Sequence, residues 1–167
     1  MDALHALAPV SAAYATLPVA QAFDWTAASR ELGRGEWYLV AFRSFRREGA
    51  DEIRLAAFDD AAHHEAASSP GFVHYFKGPA ASDGSCLSFC LWTSRADARA
   101  AASWPHHLQA VSILQEMYAA YTLEFLRVTG RVGMPLTFEP WDSAPTTHGG
   151  EPSFGSGLTA PGALPAS

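Results

Sequence analysis

Two apolar, strand-like runs, Trp37–Phe42 and Cys86–Trp92, each lead into a long Ala-rich helical stretch. Each of those stretches leads in turn into another strand-like run, Phe72–Phe76 and Tyr121–Val128, so the core reads β-α-β-β-α-β. That order predicts an α+β fold of the split βαβ type, with one antiparallel sheet carrying two helices on one face.

At 167 residues and 49% hydrophobic content the chain is long enough for one domain with a buried core. A formal charge of -6 with scattered Arg residues offers no basic stripe for a phosphate backbone, and nucleic acid is not an expected partner. No run approaches the roughly 18 apolar residues that span a bilayer, and the Met-Asp start lacks the positive region of a signal peptide. Neither a membrane nor export is expected, and the reading is cytoplasmic. Cys86 and Cys90 lie four apart on one strand, about 13 Å from each other, too far to bridge. Two thiols without a Cys-x-x-Cys pair suit a reducing compartment and a packing role.

Three segments follow from composition. Residues 1–35 read as a loosely attached arm, since Pro9 and Pro18 break any continuous helix, with a short helix from Asp24 to Leu32 ended by Gly33. Residues 36–142 hold the sheet and helices, and 143–167, rich in Pro, Gly and Ser, read as a flexible tail. The first helix is predicted over Asp51–Ala67 with Leu55, Phe58, Ala62 and Ala66 facing the sheet; His63 sits on the flank of that stripe and His64 points away. The second begins after Thr93-Ser94 and is interrupted at Pro105. Beyond it His107, Val111, Leu114, Tyr118 and Tyr121 follow helical spacing and are expected on one face. Residues 131–142 are expected to add a short edge segment.

The strands do not alternate apolar with polar. Trp37, Leu39 and Ala41 oppose Tyr38, Val40 and Phe42, while Leu87, Phe89 and Leu91 oppose Cys86, Ser88, Cys90 and Trp92. Two helices cover one face only, so a homodimer packed sheet on sheet is predicted to cover the other. The alternative is that the arm and residues 131–142 cover it within one chain.

Trp92-Thr93-Ser94 closing the third strand, a helix running on to Pro105-His106-His107, and the β-α-β-β-α-β order together resemble the dimeric α+β barrel proteins, most of all their antibiotic-biosynthesis-monooxygenase branch. The resemblance covers about residues 36–130. It implies a ferredoxin-like protomer, a homodimer, and a small-molecule pocket between helices and sheet in each subunit. It leaves the chemistry open among cofactor-free oxygenases, heme enzymes, isomerases and proteins without activity. Heme-degrading members carry an Asn on strand one, which this chain lacks entirely. Simple heme binding through a buried imidazole remains an alternative to a cofactor-free site.

A base that works near neutrality in a dry pocket is most often His, and His107 on the apolar stripe is the candidate, the alternative being a buried imidazole bonded to a carbonyl. Whichever of His74 and Tyr75 points toward the helices would meet it. Ser88 and Cys90, small side chains on one face of the third strand, are the predicted pocket floor. Trp92, Trp104 and Tyr118 are candidate walls for an aromatic substrate, or plain core. Arg43 either binds a substrate oxygen or marks a solvent-exposed strand end. The His63-His64 and His106-His107 pairs diverge by 100° on a helix and do not form a metal site from one helix. The expectation is a small enzyme acting on an aromatic or polyketide-like compound by cofactor-independent oxygenation or by His-assisted proton transfer, the alternative being a non-catalytic ligand- or heme-binding homodimer.

Overall fold

The computed structural model describes residues 2–142. An N-terminal segment carries α1 (Asp2–His5), a 3-10 turn (Tyr14–Thr16), α2 (Val19–Ala22) and α3 (Thr26–Leu32). The domain proper follows as β1 (Gly35–Arg46), α4 (Glu52–Ala67), β2 (Phe72–Phe76), β3 (Ser85–Trp92), α5 (Arg95–Ala102), α6 (Pro105–Ser112), α7 (Leu114–Met117), β4 (Tyr118–Gly130) and β5 (Thr137–Pro140). The strands form one antiparallel sheet in the order β2-β3-β1-β4-β5. The β-α-β-β-α-β reading holds: the fold is ferredoxin-like α+β, with β5 added at one edge as residues 131–142 suggested. The tail from 143 onward lies outside the described residues.

Local chemistry explains where the helices start. The Asp51 carboxylate accepts the Arg54 amide and caps α4, and Ser94 accepts the Asp97 amide and caps α5. Pro105 opens α6 at the position where its missing N–H costs nothing. The next amides of α6, those of His106 and His107, both donate to Glu65 Oε2 of α4, at 3.0 and 3.1 Å. A carboxylate from one helix therefore caps the other, which fixes α6 against α4.

The predicted stripe from His107 to Tyr121 runs past the real end of the helix. Tyr118 already has extended backbone and pairs with Arg46, and Tyr121 lies opposite Ser44 in the β1·β4 ladder. A long ladder onto the central strand outweighs helical spacing that β-branched and aromatic residues favour only weakly.

The larger correction concerns the arm. Leu4, Tyr14, Val19, Ala22, Phe23, Trp25 and Ala28 are buried, and they pack on Leu39, Ala41, Leu87, Phe89 and Leu91 of the sheet. Phe89 is ringed by Phe23, Trp25, His74 and Phe76 with centroids 5.4 to 6.0 Å away. The arm is neither loose nor peripheral; it forms the layer beneath the sheet. The premise that the second face lies bare and needs a twin subunit does not hold, because arm residues of the same chain cover it.

Candidate active site

The opposite face of the sheet is where space remains. Register places Val40 across from Cys90 and Phe125, and Phe42 across from Ser88 and Leu123, all pointing toward the helices. Small side chains at Ser88 and Cys90 leave the helices standing off the sheet, and a cavity of about 450 Å³ results. Leu55, Phe58, Ala62 and Ala66 of α4 roof one side, as their spacing predicts. Ala98 and Ala101 of α5, with His107, Ala110 and Val111 of α6, roof the other. Tyr38, Phe42, Tyr75, Trp92, Tyr118, Tyr121 and Phe125 supply aromatic walls. That size and lining suit a flat organic molecule.

Burial sets the protonation of the polar groups. Desolvation pushes the Cys90 thiol and the Tyr118 phenol each up to about 12, with Asp59 and Cys86 respectively adding charge repulsion. Tyr75 rises well above the ordinary phenol value through burial and the adjacent Asp59 carboxylate. Desolvation lowers the His107 pKa below the usual imidazole value, with Glu65 acting in the other direction. At neutral pH the thiol and these phenols are therefore protonated, and the imidazole is free to accept a proton.

Placement sorts the sequence candidates. His107, Tyr75, Ser88, Cys90, Trp92 and Tyr118 converge on the cavity. His74 does not: it alternates to the arm side, opposite Leu91, and packs against His5 at 5.1 Å and Phe89. Arg43 does not either. Its guanidinium points into the arm layer, where it pairs with Glu124 and donates to the Ala15 carbonyl and, at 2.6 Å, to the Leu17 carbonyl. Odd positions of β1 face the arm, so Arg43 is structural, which neither sequence alternative anticipated. Trp104 sits outside the lining, at the break between α5 and α6, in the N-cap position of α6 but with no capping hydrogen bond from its side chain.

Sequence reasoning missed Asp59. Its Oδ1 accepts the Tyr75 hydroxyl proton at 2.6 Å, and its Oδ2 pairs with Lys77 Nζ at 2.9 Å. Helical spacing from Leu55 places Asp59 on the cavity side, and that was the signal in the sequence that could have found it. His63, placed on the flank of the stripe, also reaches the cavity, and its ring lies 4.8 Å from that of Tyr75. A second, more polar pocket of about 360 Å³, lined by Arg46, Glu52 and Lys77, adjoins the first; Tyr75, Asp59 and Ser88 belong to both linings. Among the described residues no three His, Cys, Asp or Glu side chains converge in a metal-binding arrangement, and no helix is long and apolar enough to cross a membrane.

Solved structures of similar fold include SnoaB, a cofactor-independent oxygenase from Streptomyces nogalater, at 20% identity and a TM-score of 0.45, covering 60% of this chain and 98% of that one. Rv0793 from Mycobacterium tuberculosis matches at 23% identity and 0.46, over 52% and 91% of the two chains. A dimeric ferredoxin-like protein of unknown function from Thermobifida fusca matches at 16% and 0.45, over 56% and 92%. No curated protein sequence matches. A family model described as PB2B2.08-like spans residues 1–139, which takes in the arm as well as the sheet and helices, and the chain belongs to that family.

Proposed function

We propose that the protein is a small-molecule enzyme acting on an aromatic or polyketide-like compound held in the cavity between helices and sheet. The observation that carries this reading is the aromatic-walled cavity of about 450 Å³ with the neutral His107 imidazole on its rim. His107 takes a proton from an acidic C–H of the substrate, and the electron pair left on carbon serves one of two reactions. It moves within the substrate in a cyclisation or isomerisation, or it reduces molecular oxygen. In the second case a CH₂ becomes a carbonyl, one oxygen atom stays on carbon and the other leaves as water. No further cofactor is required for either. The protonated Tyr118 lines the same cavity, as does Tyr75, whose hydroxyl donates to Asp59.

The test uses anthrone, whose CH₂ is acidified by two aryl rings and a carbonyl. Purified protein without additives is expected to consume oxygen and form anthraquinone, and His107→Ala to slow this at least about a hundredfold while keeping the fold. Unchanged turnover in His107→Ala removes that residue from the mechanism. His107 is also the kind of donor that heme iron takes, so a Soret band in the protein as purified, lost in the same variant, moves the reading to a heme-binding protein. A homodimer and a cytoplasmic setting belong to the same proposal. With the arm covering the lower sheet face, a partner meets a different surface, and sedimentation at micromolar concentration reads the state.

A further inference from the structure

Tyr75 has one hydroxyl proton, and the structure commits it. It is donated to Asp59 Oδ1 at 2.6 Å, on the partition shared by the two pockets. The other Asp59 oxygen, Oδ2, pairs with Lys77 Nζ at 2.9 Å, and Lys77 is anchored further by Asp60 at 2.7 Å. An ionised carboxylate accepts hydrogen bonds and donates none. Turning the phenolic proton into the cavity would strip a partly buried carboxylate oxygen of its partner, which costs more than a neutral hydrogen bond returns. Ser88 beside it accepts the Gly78 amide at 3.0 Å and donates its hydroxyl to the Tyr75 oxygen, which keeps a second lone pair for a ligand.

We infer that the Tyr75 oxygen faces the cavity as an obligate hydrogen-bond acceptor, so that the site selects hydroxylated aromatic ligands over ethers or ketones of the same shape. This rests on the proposed function insofar as the cavity must admit an aromatic molecule. Asp59 is then a positioning residue: it sets which way the Tyr75 hydroxyl points.

The test compares two probes that share one ring system and differ by an O-methyl group, 2-naphthol and 2-methoxynaphthalene, titrated calorimetrically into the full chain. Although the ether is the more apolar, 2-naphthol is expected to bind about tenfold more tightly, the worth of one well-placed hydrogen bond in a dry site. Tyr75→Phe brings the two affinities within about twofold. Asp59→Asn, which puts an amide donor where a carboxylate oxygen stood, removes the preference or reverses it, whereas Arg43→Met, on the other face of the sheet, keeps it. Equal binding of both probes to the unaltered protein, or a preference that survives Tyr75→Phe, overturns the acceptor assignment and leaves the aromatic cavity standing. Binding of neither probe overturns the aromatic-cavity reading, and this inference with it.

Discussion

Replacing Arg43 with Met keeps the length of the side chain and removes its guanidinium, so it tests what the arm is worth to the fold. Three partners lose their donor: the Ala15 and Leu17 carbonyls of the arm and the Glu124 carboxylate of β4. The Arg43 side chain is 17% exposed and that of Glu124 22%, so water replaces these bonds only in part. Each carbonyl left without a donor costs about 1–3 kcal/mol, and the unpaired carboxylate a similar amount; with water replacing part of these bonds the total lies at the low end, about 3–5 kcal/mol. Against a typical stability of about 5–15 kcal/mol that is a large loss, equivalent to a fall in Tm of about 6–20 °C. Urea unfolding followed by tryptophan fluorescence measures it, and amide exchange at residues 14–17 should accelerate more than exchange in β3. Affinity of 2-naphthol for the cavity should not move, because Arg43 points to the other side of the sheet. A stability loss below about 1 kcal/mol, or a loss of ligand affinity with stability unchanged, would refute the assignment and return Arg43 to the binding site.

Burial, with His5 and His63 adding repulsion, lowers the His74 pKa to about 4, and its Nε2 finds no hydrogen-bond partner among the described residues. Its folded pKa lies below the unfolded value of about 6.5, so stability is full above that pH and falls as pH drops toward 4, by up to about 3 kcal/mol; unfolding curves of His74→Phe should lose that part of the acid slope. Phe89→Ala removes the ring at the centre of the arm layer and should cost about 3–5 kcal/mol by chemical denaturation. Gly71 has φ +75°, and a Cβ there would lie 2.3 Å from Asp97 Oδ2, so Gly71→Ala should cost about 2–3 kcal/mol in Tm measurements by straining the backbone and pushing Asp97 off the cap of α5. Cys90→Phe places a ring on the cavity floor and should abolish 2-naphthol binding in calorimetry while leaving the Tm within a few degrees.

Element order and the two-sided strands were legible because period-2 patterning needs only the chain itself. Trp37, Leu39 and Ala41 do share one face, and Ser88 and Cys90 do floor the space on the other. Capping by Asp51 and Ser94 was readable for the same local reason. The arm was not, since its packing depends on short, irregular turns such as Tyr14–Thr16, whose apolar residues carry no period. Two prolines ruled out one helix there, correctly, but an absence of helix was taken for an absence of packing. Within the site, Tyr75 and His74 could be separated only by register against β3, which puts Tyr75 beside Cys90 and His74 beside Leu91. Asp59 escaped notice because its partners, Tyr75 and Lys77, lie on a neighbouring strand and the loop after it.

One strand carries both jobs. Leu87, Phe89 and Leu91 point into the arm layer and are essentially inaccessible, while Ser88, Cys90 and Trp92 line the cavity. A single-residue step along β3 therefore changes what a substitution does: on the odd positions it alters the layer that holds the arm, and on the even positions it alters the volume open to a ligand. This division answers why the cavity can persist at all. Space beneath two helices normally collapses unless the opposing surface is rigid, and here the sheet is backed on its far side by aromatic packing centred on Phe89. The arm thus acts on the site without touching it. Weakening it through Phe89→Ala should let the sheet relax toward the helices, and 2-naphthol affinity should fall along with stability, whereas Arg43→Met, which leaves that aromatic packing in place, should lower stability alone. A Phe89→Ala protein that stays folded at low temperature and binds the naphthol as tightly as the unaltered chain would show that the helices hold the cavity open by themselves.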